Sequence, residues 1–252
     1  MINILMSGCN GKMGQVITKL AAQSDELKIV AGFDMNDSIQ NTYPVFTKLN
    51  NCDIKVDVII DFSNPAALDT LLQYATARSI PIVVATTGLT QANLGLLDTA
   101  SKKIPVFFSA NMSLGINLLI DLVKKAAKVL ESNFDIEIVE KHHNQKIDAP
   151  SGTALAIADA INSALEQKQE YIYDRHSRRK KRSKTEIGMH AVRGGTIVGD
   201  HSVIFAGNDE IIEINHMAMS KEIFAVGSLR AAKFLYNKKP GLYNMKDLIE
   251  SE

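Results

Sequence analysis

The chain has 252 residues, 46% of them apolar, and its 28 Lys plus Arg are balanced by 28 Asp plus Glu. That length admits one large or two modest domains with a sizeable core. The zero net charge gives no global argument for a nucleic-acid or membrane partner, and no apolar run approaches the ~18 residues of a membrane span. Cys9 and Cys52 show no zinc-type spacing, and Met1 leads directly into Ile2-Asn3-Ile4-Leu5-Met6 with no basic, then apolar, leader. The expectation is a cytoplasmic protein with free thiols, no signal peptide and no metal.

Residues 2–6 read as a short buried strand, 7–14 as a glycine-rich turn, and 15–22 as a helix with Val16, Ile17, Leu20 and Ala21 on one face. Strand, glycine turn, helix is the context in which glycines point to a dinucleotide, because the backbone must approach a pyrophosphate closely at a helix N-terminus. Here the glycines fall as Gly8-x-x-Gly11-x-x-Gly14, with Asn10 where G-x-G-x-x-G has its second glycine. Asn tolerates left-handed backbone, which keeps the turn feasible. Tight strand–helix turns also use glycine for structural reasons alone. A second strand, 27–33, ends at Asp34, 20 residues after Gly14. An acidic residue there is placed to accept hydrogen bonds from the adenosine ribose. The competing reading is a surface aspartate opening the turn Asp34-Met35-Asn36-Asp37.

Further strands are expected at 56–62, 81–85 and 105–108, separated by helices over about 65–78 and 91–102. Solid apolar strands alternating with helices mean a parallel sheet covered on both faces, with ligands at the strand carboxyl ends. The fold class is therefore α/β, a Rossmann-type doubly wound parallel sheet. A long helix over 114–130 follows, and then the style changes. Residues 134–140 alternate as a half-exposed strand, and strands at 186–192, 196–206 and 210–216 follow a helix that ends near Leu165. This part reads as a smaller α+β domain with a mixed sheet. A helix at 223–234 and the tail 242–249 return to the first domain. The boundaries expected are 1–112 with 222–252 for the dinucleotide-binding domain and 113–221 for the substrate-binding one, with hinges near Met112-Ser113 and Ser220-Lys221. The basic run 175–184 lacks interleaved aromatic residues for base stacking and reads as a solvated, mobile loop.

One stretch concentrates chemistry: Glu140-Lys141-His142-His143-Asn144-Gln145-Lys146-Ile147-Asp148-Ala149-Pro150-Ser151-Gly152-Thr153. Ser151 is a good N-cap, so the backbone N–H groups of Gly152 and Thr153 stand at a helix start, where they can bind a carboxylate. His142, His143 and Lys146 add titratable groups within one short loop. The bland alternative is an ordinary strand–loop–helix connection with solvated polar residues.

The signature Glu140-x-His142-His143-x-x-Lys146-x-Asp148-Ala149-Pro150-Ser151-Gly152-Thr153-Ala154 resembles the 4-hydroxy-tetrahydrodipicolinate (dihydrodipicolinate) reductase family of bacterial and plant lysine biosynthesis. The likeness extends to Gly8-x-x-Gly11-Lys12-Met13-Gly14, Asp61-Phe62-Ser63, Thr86-Thr87-Gly88, Asn111-Met112-Ser113-x-Gly115-x-Asn117, Val192-Arg193-x-Gly195 and Gly241-Leu242-Tyr243. It implies a homotetramer of two-domain subunits, assembled through the C-terminal domain, that reduces a cyclic dicarboxylate with a nicotinamide cofactor. By resemblance His142 is the proton donor and acceptor, Lys146 a proton donor, and His143, Gly152 and Thr153 hold substrate carboxylates. Gly8, Cys9, Asn10, Gly11, Lys12 and Met13, with Asp34, Ala85, Thr86, Thr87, Ser109, Ala110, Asn111 and Met112, hold the cofactor. Two departures stand out: Asn10 replaces a glycine, and Ser220-Lys221 stands where Ser-Arg is more frequent.

After Asp34 the first cation is Lys48. A 2′-phosphate needs a nearby cation, so NADH is expected to be preferred, with Lys12 supporting whatever NADPH use occurs. Two other readings stand beside the reductase. One is a related dehydrogenase acting on another anionic substrate, separable by a substrate panel. The other is a non-catalytic dinucleotide sensor that binds nucleic acid through 175–184, whose affinity would fall steeply with salt.

Overall fold

The apolar runs of the N-terminal half pair into one sheet. In the computed structural model, which describes residues 1–36 and 38–251, strands β1 (Ile2–Ser7), β2 (Leu27–Phe33), β3 (Val45–Phe46), β4 (Val58–Asp61), β5 (Ile82–Val84), β6 (Pro105–Phe108) and β12 (Gly241–Tyr243) lie in the order β12-β6-β5-β4-β1-β2-β3. All these pairs are parallel. Successive side chains of a strand point to opposite faces, and both faces are buried. Ile4, Met6, Val58, Ile60, Val83 and Phe107 pack under α1 (Lys12–Ala21), α6 (Glu222–Leu235) and α7 (Met245–Ile249). Leu5, Ile59, Ile82, Val84 and Val106 pack under α2 (Leu68–Ala77) and α3 (Gln91–Ser101). The order reverses between β1 and β4, so the loops after these two strands open into one crevice. These elements belong to one compact unit, Met1–Leu114 with Glu222–Glu252.

The second unit, Gly115–Lys221, has a five-stranded mixed sheet in the order β11-β10-β7-β9-β8. Its strands are β7 (Asp135–His142), β8 (Glu170–Ile172), β9 (Glu186–Arg193), β10 (Gly199–Ala206) and β11 (Ile211–Ala218). β7 is the pivot, antiparallel to β10 and parallel to β9. Along it Ile136, Ile138, Glu140 and His142 are buried while the alternate residues are half-buried. The two isoleucines meet Leu119, Val123 and Ala127 of α4 (Leu114–Leu130) and Ile157 and Ile161 of α5 (Gly152–Ala164). Glu140 and His142 thus continue an apolar stripe as its polar end.

Four expectations need correction. The first helix starts at Lys12, so Lys12 and Met13 form its first turn rather than the glycine loop. Asn10 does not use left-handed backbone; among the described residues Ser79 is the non-glycine with positive φ, and at the turn it is Gly8 that takes it, at 77°. Strands β3, β8 and β12, of two or three residues, were not expected. The basic run is not simply solvated: Arg182 donates to Glu137, Asp135 and the carbonyls of Ile136 and Glu186, and Arg175 bridges Glu137 and Glu186. These carboxylates lie on β7 and β9, so the sheet pins the loop at both ends. Asp37, part of the turn expected after Asp34, lies outside the described residues.

Candidate active site

In the first unit the glycine turn is shaped by backbone contact. A Cβ on Gly8 would lie 2.6 Å from the Phe62 carbonyl oxygen, and one on Gly14 2.2 Å from that of Gly8. α1 therefore seats directly on the turn, and Gly11 gives its N-terminus no side-chain cap. Asp34 receives the backbone N–H of Asn10 on Oδ2 at 2.9 Å and that of Asn36 on Oδ1 at 3.1 Å. Asn10 uses its side chain as a strut, donating to the Asn36 carbonyl and accepting from Asn41. A hollow of about 400 Å³ lies here, lined by Gly8, Phe33, Asp34, Met35, Ser63 and Asn64 among others. Turn, carboxylate and hollow together fit the adenosine and pyrophosphate of a dinucleotide.

Asp61, at the end of β4, ties two of the loops together. It is fully buried and accepts from Ser63 Oγ at 2.6 Å and Thr86 Oγ1 at 2.7 Å. Burial raises its pKa, against the pull of these donors. Ala85 and Thr86 are buried, whereas Thr87 is exposed. Ser109 Oγ donates to the Asn111 carbonyl at 2.7 Å, and Ala110 is exposed between them. Met112 and Cys9 are buried in the core, and the Met112 carbonyl lies against Gly227 of α6. Burial, with the nearby Asp34 charge, pushes the Cys9 thiol up to about 11 and leaves it unreactive.

In the second unit His142 Nδ1 lies 2.6 Å from Glu140 Oε2. Arg193, opposite His142 on β9, forks onto Glu140 with Nη1 at 2.8 Å and Nη2 at 2.7 Å. Ser151 N–H adds a bond to Glu140 Oε1 at 3.0 Å. The Ser151 hydroxyl caps α5 through Ala154 N–H at 3.1 Å and meets His201 Nε2 at 3.2 Å. Burial pushes His201 down to about 4 and the neighbouring His142 adds to the shift, so this ring is neutral at working pH.

The loop after β7 turns on Lys146 N–H to His143 O at 3.1 Å, and the Ala149–Pro150 bond is cis. Lys146 Nζ lies 2.8 Å from Asp148 Oδ1, and this pairing holds the Asp148 carboxyl below its ordinary value. Gly152 is exposed, with nothing within 4 Å of where a Cβ would stand. His142, His143, Lys146, Gly152 and Thr153 thus belong to one loop and the helix start that follows it. The unit can exchange protons and receive a carboxylate. Glu140, Arg193 and His201 were given no role from sequence. The usable signal was Glu140, a charged residue on the buried phase of an alternating strand.

Two family models match the chain: dihydrodipicolinate reductase, N-terminus, over residues 2–112, and dihydrodipicolinate reductase, C-terminus, over residues 115–249. The 4-hydroxy-tetrahydrodipicolinate reductase of Caldanaerobacter subterraneus subsp. tengcongensis is 57% identical over 250 residues, covering 99% of each chain. That of Clostridium tetani is 49% identical over 251 residues, covering 100% of this chain and 98% of its own. The fold matches the dipicolinate-bound dihydrodipicolinate reductase of Paenisporosarcina sp. TG-14 with a TM-score of 0.83 at 24% identity, over 98% of this chain and 99% of that one. The chain belongs to the 4-hydroxy-tetrahydrodipicolinate reductase family.

Proposed function

We propose that His142 and Lys146 are the proton-handling pair of this enzyme. The chain is an oxidoreductase of lysine and diaminopimelate biosynthesis, reducing 4-hydroxy-tetrahydrodipicolinate, by way of dihydrodipicolinate, with NAD(P)H. Bound nicotinamide supplies the hydride. The protein's own task is to place a carboxylate-bearing ring and to meet the charge that builds beside the reduced carbon. A histidine held by a carboxylate and a lysine one short turn away suit that task. His143 and the N–H groups of Gly152 and Thr153 hold the substrate carboxylates. The cofactor role falls to the Met1–Leu114 and Glu222–Glu252 unit, through Gly8 to Met13, Asp34, Ala85 to Thr87 and Ser109 to Met112, and the substrate role to Gly115–Lys221.

The observation that carries this reading is the His142–Glu140 contact at the head of a loop that ends at exposed Gly152, where nothing stands within 4 Å of a would-be Cβ. Its test is loss of NADH absorbance with freshly generated substrate. His142→Gln and Lys146→Ala should each lower kcat by roughly 10²–10⁴-fold with NADH affinity unchanged; wild-type turnover by both variants refutes the pair.

Three finer points belong to the same reading. NADH is preferred over NADPH, because Asp34 meets free ribose hydroxyls and repels a phosphate. The enzyme is a homotetramer: β11, an edge strand with Ile211 and Met217 exposed, offers a surface for self-association, which light scattering would measure. Cytoplasmic placement is supported by two buried free thiols. No helix among the described residues is long and apolar enough to cross a membrane.

A further inference from the structure

Glu140 has no acceptor capacity left. Oε1 takes Ser151 N–H at 3.0 Å and Arg193 Nη2 at 2.7 Å, while Oε2 takes Arg193 Nη1 at 2.8 Å and faces His142 Nδ1 at 2.6 Å. A carboxylate offers about four lone-pair directions, and all four are used. Burial alone would raise the pKa of Glu140; Arg193, His142 and Ser151 N–H outweigh it and hold the group below its ordinary value. An ionised carboxylate only accepts, so the proton between the two residues sits on His142 Nδ1. Neutral His142 then carries its lone pair on Nε2, and Nε2 is the atom that gains and loses the proton.

The surroundings favour that assignment. Gly199 puts no side chain over Nε2, where a Cβ would lie 3.2 Å away. The His201 ring, 5.2 Å from that of His142, is neutral and adds no second positive charge beside an imidazolium. Arg193 is itself tied down, donating to the carbonyls of Val192 at 2.8 Å and Asp148 at 2.6 Å. The clamp thus reaches the loop that carries Lys146.

We propose that Glu140, clamped by Arg193, is the positioning residue for His142: it selects the Nδ1–H tautomer, leaves Nε2 as the proton-carrying atom and is the counter-charge of the imidazolium. The inference rests on the catalytic reading of His142. In the step it serves, the conjugated imine receives a hydride, with both its electrons, from the reduced nicotinamide, which is oxidised. The proton on Nε2 bonds to the atom where negative charge builds. The N–H electron pair stays on the ring, leaving neutral His142 with Nδ1–H still on Glu140.

The test joins kinetics to ¹⁵N NMR of histidine-labelled enzyme. Wild type should show His142 as the Nδ1–H tautomer when neutral; a dominant Nε2–H form overturns the proposal without any variant. Glu140→Gln, whose amide faces the guanidinium, should mix the tautomers and lower kcat by roughly 10²-fold or more, with KM and NADH affinity within about twofold. Glu140→Asp should recover part of kcat, and Arg193→Lys, which keeps the charge but loses the fork, should lie between. Unchanged kcat in Glu140→Gln, or parallel losses in kcat, KM and melting temperature, overturns the positioning role. Wild-type turnover by His142→Gln together with shifted tautomers in Glu140→Gln marks failure of the catalytic reading of His142, and the proposal falls with it.

Discussion

A Cβ on Gly14 would stand 2.2 Å from the carbonyl oxygen of Gly8, a backbone atom that cannot swing aside. Alanine is the better helix former by about 1 kcal/mol, but here the clash decides the sign. Gly14→Ala should destabilise the first unit by about 1–3 kcal/mol net. Thermal unfolding followed by circular dichroism checks this, and an unchanged or raised midpoint contradicts the close seating of α1.

Gly152 is the opposite case. Nothing stands within 4 Å of its missing Cβ, so Gly152→Ala should fold normally. The added methyl would instead crowd a carboxylate approaching the helix start. KM for the dicarboxylate should rise roughly tenfold, about 1.4 kcal/mol, with the melting temperature held. An unchanged KM removes Gly152 from the substrate site.

On the reading proposed above, the environment of Asp34 should set cofactor preference. Its carboxylate is held by two backbone N–H groups and keeps acceptor capacity for ribose hydroxyls. The nearest cation on its own side in sequence, Lys48, lines an adjoining hollow with Arg78, Phe33 and Met35. Comparison of kcat/KM for NADH and NADPH should favour NADH modestly in wild type. Lys12→Ala should reduce the NADPH value selectively; if NADPH use is unaffected, Lys12 has no such role, and an NADPH preference in wild type refutes the Asp34 argument.

Acid sensitivity should begin with His201. Its folded pKa is depressed from 6.5 to about 4, chiefly by burial. Between those values the unfolded chain binds a proton that the native one refuses, so stability falls as pH drops through the window, by on the order of 3 kcal/mol in all. His216 is shifted in the same direction and adds to the slope. Glu137, Glu140 and Glu186 are depressed below 4.5 by their arginine and histidine partners, despite burial, and their contributions are lost only below that. Urea unfolding from pH 4.5 to 6.5 should show a clear slope that His201→Gln flattens. Equal slopes in the two proteins contradict the assignment.

Arg182 holds the basic loop by side-chain bonds to two acidic residues and two carbonyls of β7 and β9. Arg182→Ala should leave Glu137 with fewer partners and speed tryptic cleavage within 175–184 well beyond wild type. Equal cleavage rates would mean that the loop opens independently of that anchor.

The parallel sheet was legible because strands buried on both faces must be apolar throughout, as Val58-Ile59-Ile60 and Ile82-Val83-Val84 are. β3, with two residues, and β8 and β12, with three each, are too short to show any period. The early start of α1 was hidden by Gly14, a poor helix former whose tight contact with Gly8 only the fold reveals. That His142 and Lys146 share one short loop could be read from their spacing. Their setting could not: Glu140 meets Arg193 across 53 residues and Ser151 meets His201 across 50, and local pattern carries no signal at those separations. The anchoring of the basic run was hidden for the same reason, since Glu137 lies 45 residues from Arg182.

The first unit is assembled from both ends of the chain. α6 contributes Ala225, Leu229, Ala232 and Leu235 to its core, and β12 pairs with β6 only after residues 115–221 have been made. On a ribosome, the inserted unit has all its strands in hand first. The first unit must wait with the apolar face of β4, β5 and β6, which α6 covers, bare until residues 222–252 emerge. That interval is when the nascent enzyme is most exposed to aggregation and most dependent on chaperones.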